Sequence, residues 1–94
     1  MEVDKSMALT MVKARLNRLE ADTSLDDYLN ALIEAAAEEL ECTGIHLLAT
    51  AEDLMLLVDK TVINYQNRDK PGGDPEWFRL KRRERWLRER RCSG

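Results

Sequence analysis

Apolar residues recur at helical spacing in several stretches of the chain, and the most continuous of these is residues 51–68. One wide apolar face of this stretch contains Leu54, Leu57, Val58, Thr61, Val62 and Tyr65, and its flanks add Met55, Leu56 and Ile63. A helix that is apolar nearly all round is normally buried, so the pattern predicts a central helix on which the other segments pack. Thr50 is the expected N-cap of this helix, and Asp53 can complete a capping box three residues later.

The same periodicity predicts three further helices, near residues 10–19, 24–43 and 75–91. Thr10 is the expected N-cap of the first of them. Residues 1–6 are short and polar, and we expect them to be frayed.

Start and stop signals place the ends of the second and fourth predicted helices. Ser24 is the expected N-cap of the second helix, and Gly44 is the natural residue to follow its last turn. The glycines at 72–73 break the chain before the fourth helix, where Asp74 can cap and Pro75 suits the first helical position.

The chain of 94 residues predicts one all-α domain, a small bundle of about four helices without a sheet. Charged residues make up 35% of the chain and aromatic residues 5%, a composition that suits a polar-surfaced helical protein. Residues 10–68 would form the core, residues 69–74 a turn, and residues 75–91 a basic C-terminal helix. The side chains expected at the centre are Leu29, Ile33, Leu57 and Val62.

The net charge of −3 conceals a strong asymmetry between two parts of the chain. Residues 1–75 carry a net charge of −8, whereas residues 76–94 carry a net charge of +5. A chain with an acidic body and a basic end can associate head to tail with its own copies. It can also offer the basic end to an acidic partner or to nucleic acid.

Targeting and membrane signals are not expected. No apolar run follows a basic start, and none approaches the roughly 18 residues of a membrane span. Cys42 and Cys92 do not make a disulfide framework and are expected to be free thiols. Synthesis in the cytoplasm, without contact to a membrane, is therefore the expectation.

Candidate catalytic and metal-binding residues are few. Cys42 and His46 have Cys-x-x-x-His spacing, but a closed zinc site needs four ligands and the chain has one His and two Cys. Glu34, Glu38 and Glu41 could imitate paired carboxylates, but glutamates at every exposed turn normally just solvate a helix. The sequence therefore predicts no enzyme, no metal and no cofactor.

A run of basic residues near the C-terminal end is the strongest chemical signal in the chain. It consists of Arg79, Lys81, Arg82, Arg83, Arg85, Arg88, Arg90 and Arg91, and it lies among Trp77, Phe78 and Trp86. These side chains could bind phosphates and stack on bases, as in a small nucleic-acid-binding protein. A short Arg-rich helix without a recognised nucleic-acid module is more often a partner-facing helix that closes on acidic neighbours.

The end of the predicted central helix is polar. Its last side chains are Asn64, Tyr65, Asn67 and Arg68. A hydrogen-bonding helix end beside a double-glycine turn often fixes loop geometry, and we expect that role for these four residues.

Three segments, taken in order and spacing, carry a family resemblance. They are Met7-Ala8-Leu9-Thr10 before a short helix that ends near Asn17, then 24–29 leading to 32–36, and finally the apolar helix that ends in 64–68. Together they resemble the small head–tail connector, or head-completion adaptor, proteins of long-tailed bacteriophages and prophages. The last segment is similar to that family's aromatic-x-Asn-Arg ending. The match covers about residues 7–70, and the Arg-rich end departs from it.

This resemblance implies an all-α virion subunit that assembles into a ring under the capsid portal. Such a ring extends the DNA channel and offers a platform to the next neck or tail-completion protein. The implied partners are further copies of the chain, the portal and the neck proteins. A role in DNA packaging would then involve only passive contact with the packaged DNA.

Neighbouring subunits of a ring contact each other through two different faces, so complementary charges on one chain favour assembly. We expect the C-terminal helix to supply this contact, with apolar side chains giving buried area and arginines setting the register against glutamates of the neighbour. The apolar residues are Trp77, Phe78, Leu80 and Trp86, the arginines are Arg82, Arg85 and Arg88, and the glutamates are Glu34, Glu38 and Glu41.

Overall fold

A computed structural model describes residues 2–17, 23–67 and 73–93. It contains four helices, which in chain order are α1 (Lys5–Arg15), α2 (Asp26–Cys42), α3 (Ala51–Gln66) and α4 (Glu76–Ser93). These described ranges contain no sheet, and a single antiparallel bridge joins Glu2 to Leu48. The predicted fold class, a small all-α bundle, is confirmed.

α3 is the central helix, as its apolar pattern predicts. It packs against α1, α2 and α4, and every residue from 56 to 63 is buried. Leu57 and Val62 lie in this run, and Leu29 and Ile33 of α2 are buried as well. The four predicted core positions are therefore confirmed.

α1 begins at Lys5 rather than near residue 10, because Asp4 caps it. The Oδ1 atom of Asp4 accepts hydrogen bonds from the N–H of Ser6 at 3.0 Å and from the N–H of Met7 at 3.1 Å. Thr10 lies inside the helix, where its hydroxyl donates to the carbonyl oxygen of Ser6 at 3.4 Å. The predicted Thr10 cap is therefore wrong. The fraying expected of residues 1–6 is wrong for residues 2–6, because Glu2 pairs with Leu48, Val3 is buried and α1 begins at Lys5.

Some predicted boundaries fall outside the described residues. The first helix was predicted to extend to residue 19, but α1 ends at Arg15. Asn17 has a φ of 59°, a left-handed conformation that stops a helix. Residues 18 and 19, and residues 68–72 of the predicted helix end and turn, are not described.

The starts of α2 and α4 are displaced by one residue from their predicted positions. α2 begins at Asp26 with Leu25 in the N-cap position, so the predicted Ser24 cap is corrected. α4 begins at Glu76, and Pro75 precedes it as the residue whose carbonyl oxygen accepts the first helical hydrogen bonds.

The C-terminal end of α2 follows its sequence signal closely. Gly44 has a φ of 98°, and its N–H donates to the carbonyl oxygen of Glu41 at 2.9 Å. The N–H of Ile45 donates to the carbonyl oxygen of Leu40 at 3.2 Å. These two bonds form a Schellman motif, which confirms Gly44 as the residue after the last turn.

The predicted cap of α3 consists of two hydrogen bonds, and the structure contains one of them. Thr50 Oγ1 accepts a hydrogen bond from the N–H of Asp53 at 3.1 Å. The Asp53 carboxylate does not return a bond to Thr50, because its Oδ2 accepts from the N–H of Leu48 at 2.8 Å. The predicted capping box is therefore wrong, and the Asp53 carboxylate accepts its hydrogen bonds inside the bundle.

Candidate assembly interface on the C-terminal helix

α4 has one side packed on the bundle and the opposite side in solvent. Phe78 and Arg85 on the inner side are 0% and 7% exposed. Positions 77, 80, 84, 87 and 91 fall on the opposite face of a 3.6-residue helix, and all five are exposed. We call these residues, Trp77, Leu80, Glu84, Leu87 and Arg91, the outer stripe.

Arg85 fastens the inner side of α4 to the start of α3. Its Nε donates to Asp53 Oδ1 at 2.7 Å and its Nη2 donates to Asp53 Oδ2 at 3.1 Å, which makes a two-point ion pair. Nη2 also donates to the carbonyl oxygen of His46 at 2.7 Å, and Nη1 donates to Glu89 Oε2 at 2.8 Å. The hydrogen bond to Asp53 raises the pKa of Arg85, so the guanidinium stays charged in the interior.

A second charged cluster holds the first turn of α4. Asp74 accepts hydrogen bonds from Lys60 Nζ at 2.7 Å and from Arg82 Nη1 at 3.0 Å. Lys60 Nζ also lies 3.2 Å from a carboxylate oxygen of Glu39 on α2. The centroid of the buried Phe78 ring is 5.9 Å from Lys60 Nζ and 6.0 Å from Arg82 Cζ.

Two further contacts fix the direction of α4. Lys81 Nζ donates to Asp59 Oδ2 at 2.9 Å, and Arg15 of α1 donates to Asp59 Oδ1 at 2.8 Å. Arg88 pairs with Glu52, and both of these side chains are about half exposed. Because Lys81 meets Asp59 and the later Arg88 meets the earlier Glu52, α4 runs antiparallel to α3.

These contacts give several residues of the predicted interface a role within their own chain, and the interface itself stays a prediction. Phe78 belongs to the core and has no exposed surface. The three arginines expected to set the register against a neighbour instead pair with carboxylates of their own chain, and these are Arg82, Arg85 and Arg88. Only Trp77 and Leu80 of the predicted apolar contacts lie fully on the surface, 48% and 56% exposed.

Trp86 is partly buried at the edge of the bundle. Its Nε1 lies 3.2 Å from the point where a β-carbon on Gly44 would stand, so its indole covers the end of α2. The guanidinium carbon of Arg90 lies 4.9 Å from the Trp86 ring centroid. Trp86 is thus mainly a packing residue of this chain.

Three basic residues of α4 remain available on the surface. Arg79, Arg83 and Arg91 are exposed, and none of them has an ion pair within the part of the chain that the structure describes. The exposed Leu87, which is 38% accessible, and Glu84 also lie on this side. The outer side of α4 is therefore partly apolar and has more arginines than carboxylates.

The outer side of α2 carries the opposite charge. Positions 27, 31, 34, 38 and 41 share one helical face and are all exposed. Glu34 pairs with Lys5 at 3.0 Å, and this hydrogen bond raises the pKa of Lys5. The other carboxylates of this face form no ion pair among the described residues. We call its residues, Asp27, Ala31, Glu34, Glu38 and Glu41, the acidic face.

The polar end of α3 is described in part. Asn67 occupies the C-cap position, and Asn64 and Asn67 line a surface cleft there. The Tyr65 ring lies 6.3 Å from the Tyr28 ring of α2, which ties the helix end to its neighbour. Arg68 lies outside the described residues, and the loop-fixing role of the four residues stays a prediction.

The sequence candidates for metal chemistry are also located. Cys42 is an exposed free cysteine, and the carbonyl oxygen of His46 is engaged by Arg85. Within residues 2–17, 23–67 and 73–93, no group of three His, Cys, Asp or Glu side chains could hold a metal ion. None of the helices seen there has both the length and the apolar character needed to cross a membrane.

Sequence reasoning missed the carboxylates that fasten α4. Asp53 and Asp74 were assigned only to helix caps, and Asp59 was given no role. A signal was present, because Asp53 and Asp59 lie in the stretch whose apolar pattern predicts a buried central helix. A buried charge needs a partner, and the Arg-rich α4 is the natural source of cations.

No family model matches the chain, and neither a curated protein nor a solved structure matches it. A functional proposal therefore rests on the fold, on the two charged helix faces and on the three segments described above.

Proposed function

We propose that the chain is a structural subunit of a phage or prophage head–tail connector, which forms a ring between the portal and the neck or tail proteins. The observation that carries the proposal is the outer stripe. α4 is fastened to α3 by interior ion pairs, yet it keeps Trp77, Leu80 and Leu87 in solvent. Exposed apolar side chains gathered on one helix face are typical of an interaction surface.

The charge distribution supports a ring. The outer side of α4 is partly apolar and carries an excess of arginine, and the separate face on α2 is acidic, so the subunit is suited to contacts between unlike faces. Contacts of that kind generate closed rings when the rotation between subunits closes. The net charge of −8 on residues 1–75 also suits a channel through which DNA must pass without being held.

The proposed role needs no catalysis, cofactor or metal. Its requirement is a rigid subunit whose surfaces have fixed directions, and the two-point Arg85–Asp53 pair supports that rigidity. The localisation that follows is the virion, after synthesis in the bacterial host.

The direct test is the composition of virions made by the phage that encodes the chain. Quantitative mass spectrometry of purified virions should find the chain in a number of copies comparable to that of the portal protein. Deletion of the gene should yield heads without tails, because the next neck protein loses its platform, and the wild-type gene supplied in trans should restore them. Absence of the chain from purified virions would refute the proposal.

A second candidate function is nucleic-acid binding through α4. The observation that favours it is the group of exposed basic side chains Arg79, Arg83 and Arg91 beside Trp77. Against it, at least four of the eight basic residues in α4 form ion pairs with described residues of the chain, which leaves less positive charge for phosphates. Under this hypothesis, log K for duplex DNA falls with log salt concentration by about 0.9 per phosphate neutralised. A DNA affinity that Arg83→Gln leaves unchanged would remove this candidate.

A further inference from the structure

We infer that the outer stripe of α4 packs against the acidic face of α2 in a second copy of this chain, an inference that rests on the proposed assembly function. Both surfaces have the spacing of helices that pack side by side. The outer stripe occupies positions 77, 80, 84, 87 and 91, and the acidic face occupies positions 27, 31, 34, 38 and 41. Alternating steps of three and four residues keep such a row on one side of a helix.

The charges of the two surfaces are complementary. Arg91 lies in the outer stripe and Arg83 beside it, and neither has an ion pair in the described part of the chain. Glu84 in the stripe offsets one of these charges, so two arginines against one glutamate leave a small positive excess on this surface. Glu38 and Glu41 on α2 are likewise exposed and without an ion pair there. Contact between two copies gives each of these groups a partner of opposite sign, which favours this pairing over others.

The sizes of the two surfaces also match. α2 has 17 residues and α4 has 18, so both helices are about 26–27 Å long. Ala31 and Ala35 are exposed on α2, and their small side chains let the larger Leu80 and Leu87 approach closely. The apolar contact supplies most of the attraction, because exposed ion pairs contribute little.

The contact joins two copies and cannot close within one. α2 and α4 both pack on α3, and the outer stripe and the acidic face lie on the sides of those helices that the bundle leaves exposed. The stripe of one copy must therefore meet the face of the next copy. Repetition of this unlike-face contact gives a ring if it closes.

Two other contacts between copies are less favourable. Parallel packing of α4 on α4 would bring Arg83 and Arg91 of both copies together, and antiparallel packing centred on Glu84 would bring the two Glu84 carboxylates together, so like charges oppose both arrangements. A surface groove of about 310 Å³ offers another apolar site, but its one carboxylate, Asp4, already caps α1. The apolar residues of that groove include Val3, Met7, Ala51 and Leu54.

The test uses variants that each block one of the two surfaces. Leu80→Asp places a negative charge on the outer stripe, and Glu38→Lys combined with Glu41→Lys reverses the charge of the acidic face. Sedimentation equilibrium should show self-association of each variant weakened by at least about tenfold relative to the wild type. An equal mixture of the two variants should associate again, because each still carries the surface that the other lacks. Met7→Lys, in the groove, should associate like the wild type.

Several results would overturn this inference. One is that the Glu38→Lys, Glu41→Lys chain associates as strongly as the wild type. Another is that a mixture of the two variants does not associate. The third is that the wild-type chain stays monomeric up to about 1 mM. Circular dichroism checks that each variant is folded, and Leu87→Asp replaces Leu80→Asp if the latter loses helix. None of these results would show whether the chain is present in virions. The proposed function is therefore tested separately, by the composition of purified virions.

Discussion

Arg85 of α4 and Asp53 of α3 lie 32 residues apart in the sequence and form a two-point ion pair in the interior of the bundle. Asp53 is 1% exposed, and its second oxygen also accepts the N–H of Leu48. The pair therefore joins the start of α3, the segment before it and the inner side of α4. By fixing which side of α4 is buried, it also determines that the outer stripe faces solvent.

Removal of the Arg85 guanidinium should be strongly destabilising. Arg85→Met leaves the Asp53 carboxylate buried without its cation, which should lower the free energy of unfolding by about 3–5 kcal/mol. Urea denaturation followed by circular dichroism measures this change. The matched control is Arg88→Met, which removes the exposed pair with Glu52 and should cost only about 0–1 kcal/mol. Equal effects of the two substitutions would show that the Arg85 pair does not hold α4.

Gly44 should be sensitive to the addition of a single methyl group. Its φ of 98° is left-handed, and a β-carbon there would stand 3.2 Å from Nε1 of Trp86. Gly44→Ala should therefore lower the free energy of unfolding by about 1–2 kcal/mol and alter the tryptophan fluorescence. Gly73→Ala is the control, because a β-carbon there meets nothing within 4 Å and the change should stay within about 0.5 kcal/mol. A tolerated alanine at position 44 would argue against the Schellman motif.

The central position of α3 is tested at Leu57. Leu57→Ala removes a fully buried side chain and should cost about 2–5 kcal/mol in the free energy of unfolding. Met55, on the same helix but 37% exposed, serves as the control, and Met55→Ala should change stability by about 0.5 kcal/mol or less. If Leu57→Ala were as mild as its control, α3 would not be the core helix.

Local signals in the sequence were sufficient for the helices but not for every end of them. Thr50 and Gly44 act within one turn of themselves, so their roles could be predicted without knowledge of the tertiary structure. The start of α1 was missed because residues 1–6 were expected to be frayed, so Asp4, a good N-cap residue, was not considered beside Thr10.

The site on α4 depends on contacts that the sequence does not reveal. Trp77 and Phe78 are adjacent aromatic residues, so periodicity alone could not decide which of them faces the bundle. The orientation of α4 is fixed by Asp53 and Asp59 on α3, which form ion pairs with Arg85 and Lys81 on one side of α4. Asp53 and Asp59 in a buried helix signal a need for cations, but residues so distant in sequence leave no local pattern that identifies which cations these are. The predicted interface therefore mixed residues from both sides of the helix.

Size-exclusion chromatography with light scattering on the wild-type chain tests most directly whether this chain is an assembly subunit. We predict a discrete species whose mass is a multiple of the 10.9 kDa subunit. High salt should dissociate it only in part, because salt screens the charges around the outer stripe but not its apolar contact. A species of 10.9 kDa at every concentration, together with DNA binding that weakens steeply with salt, would contradict assembly through α4.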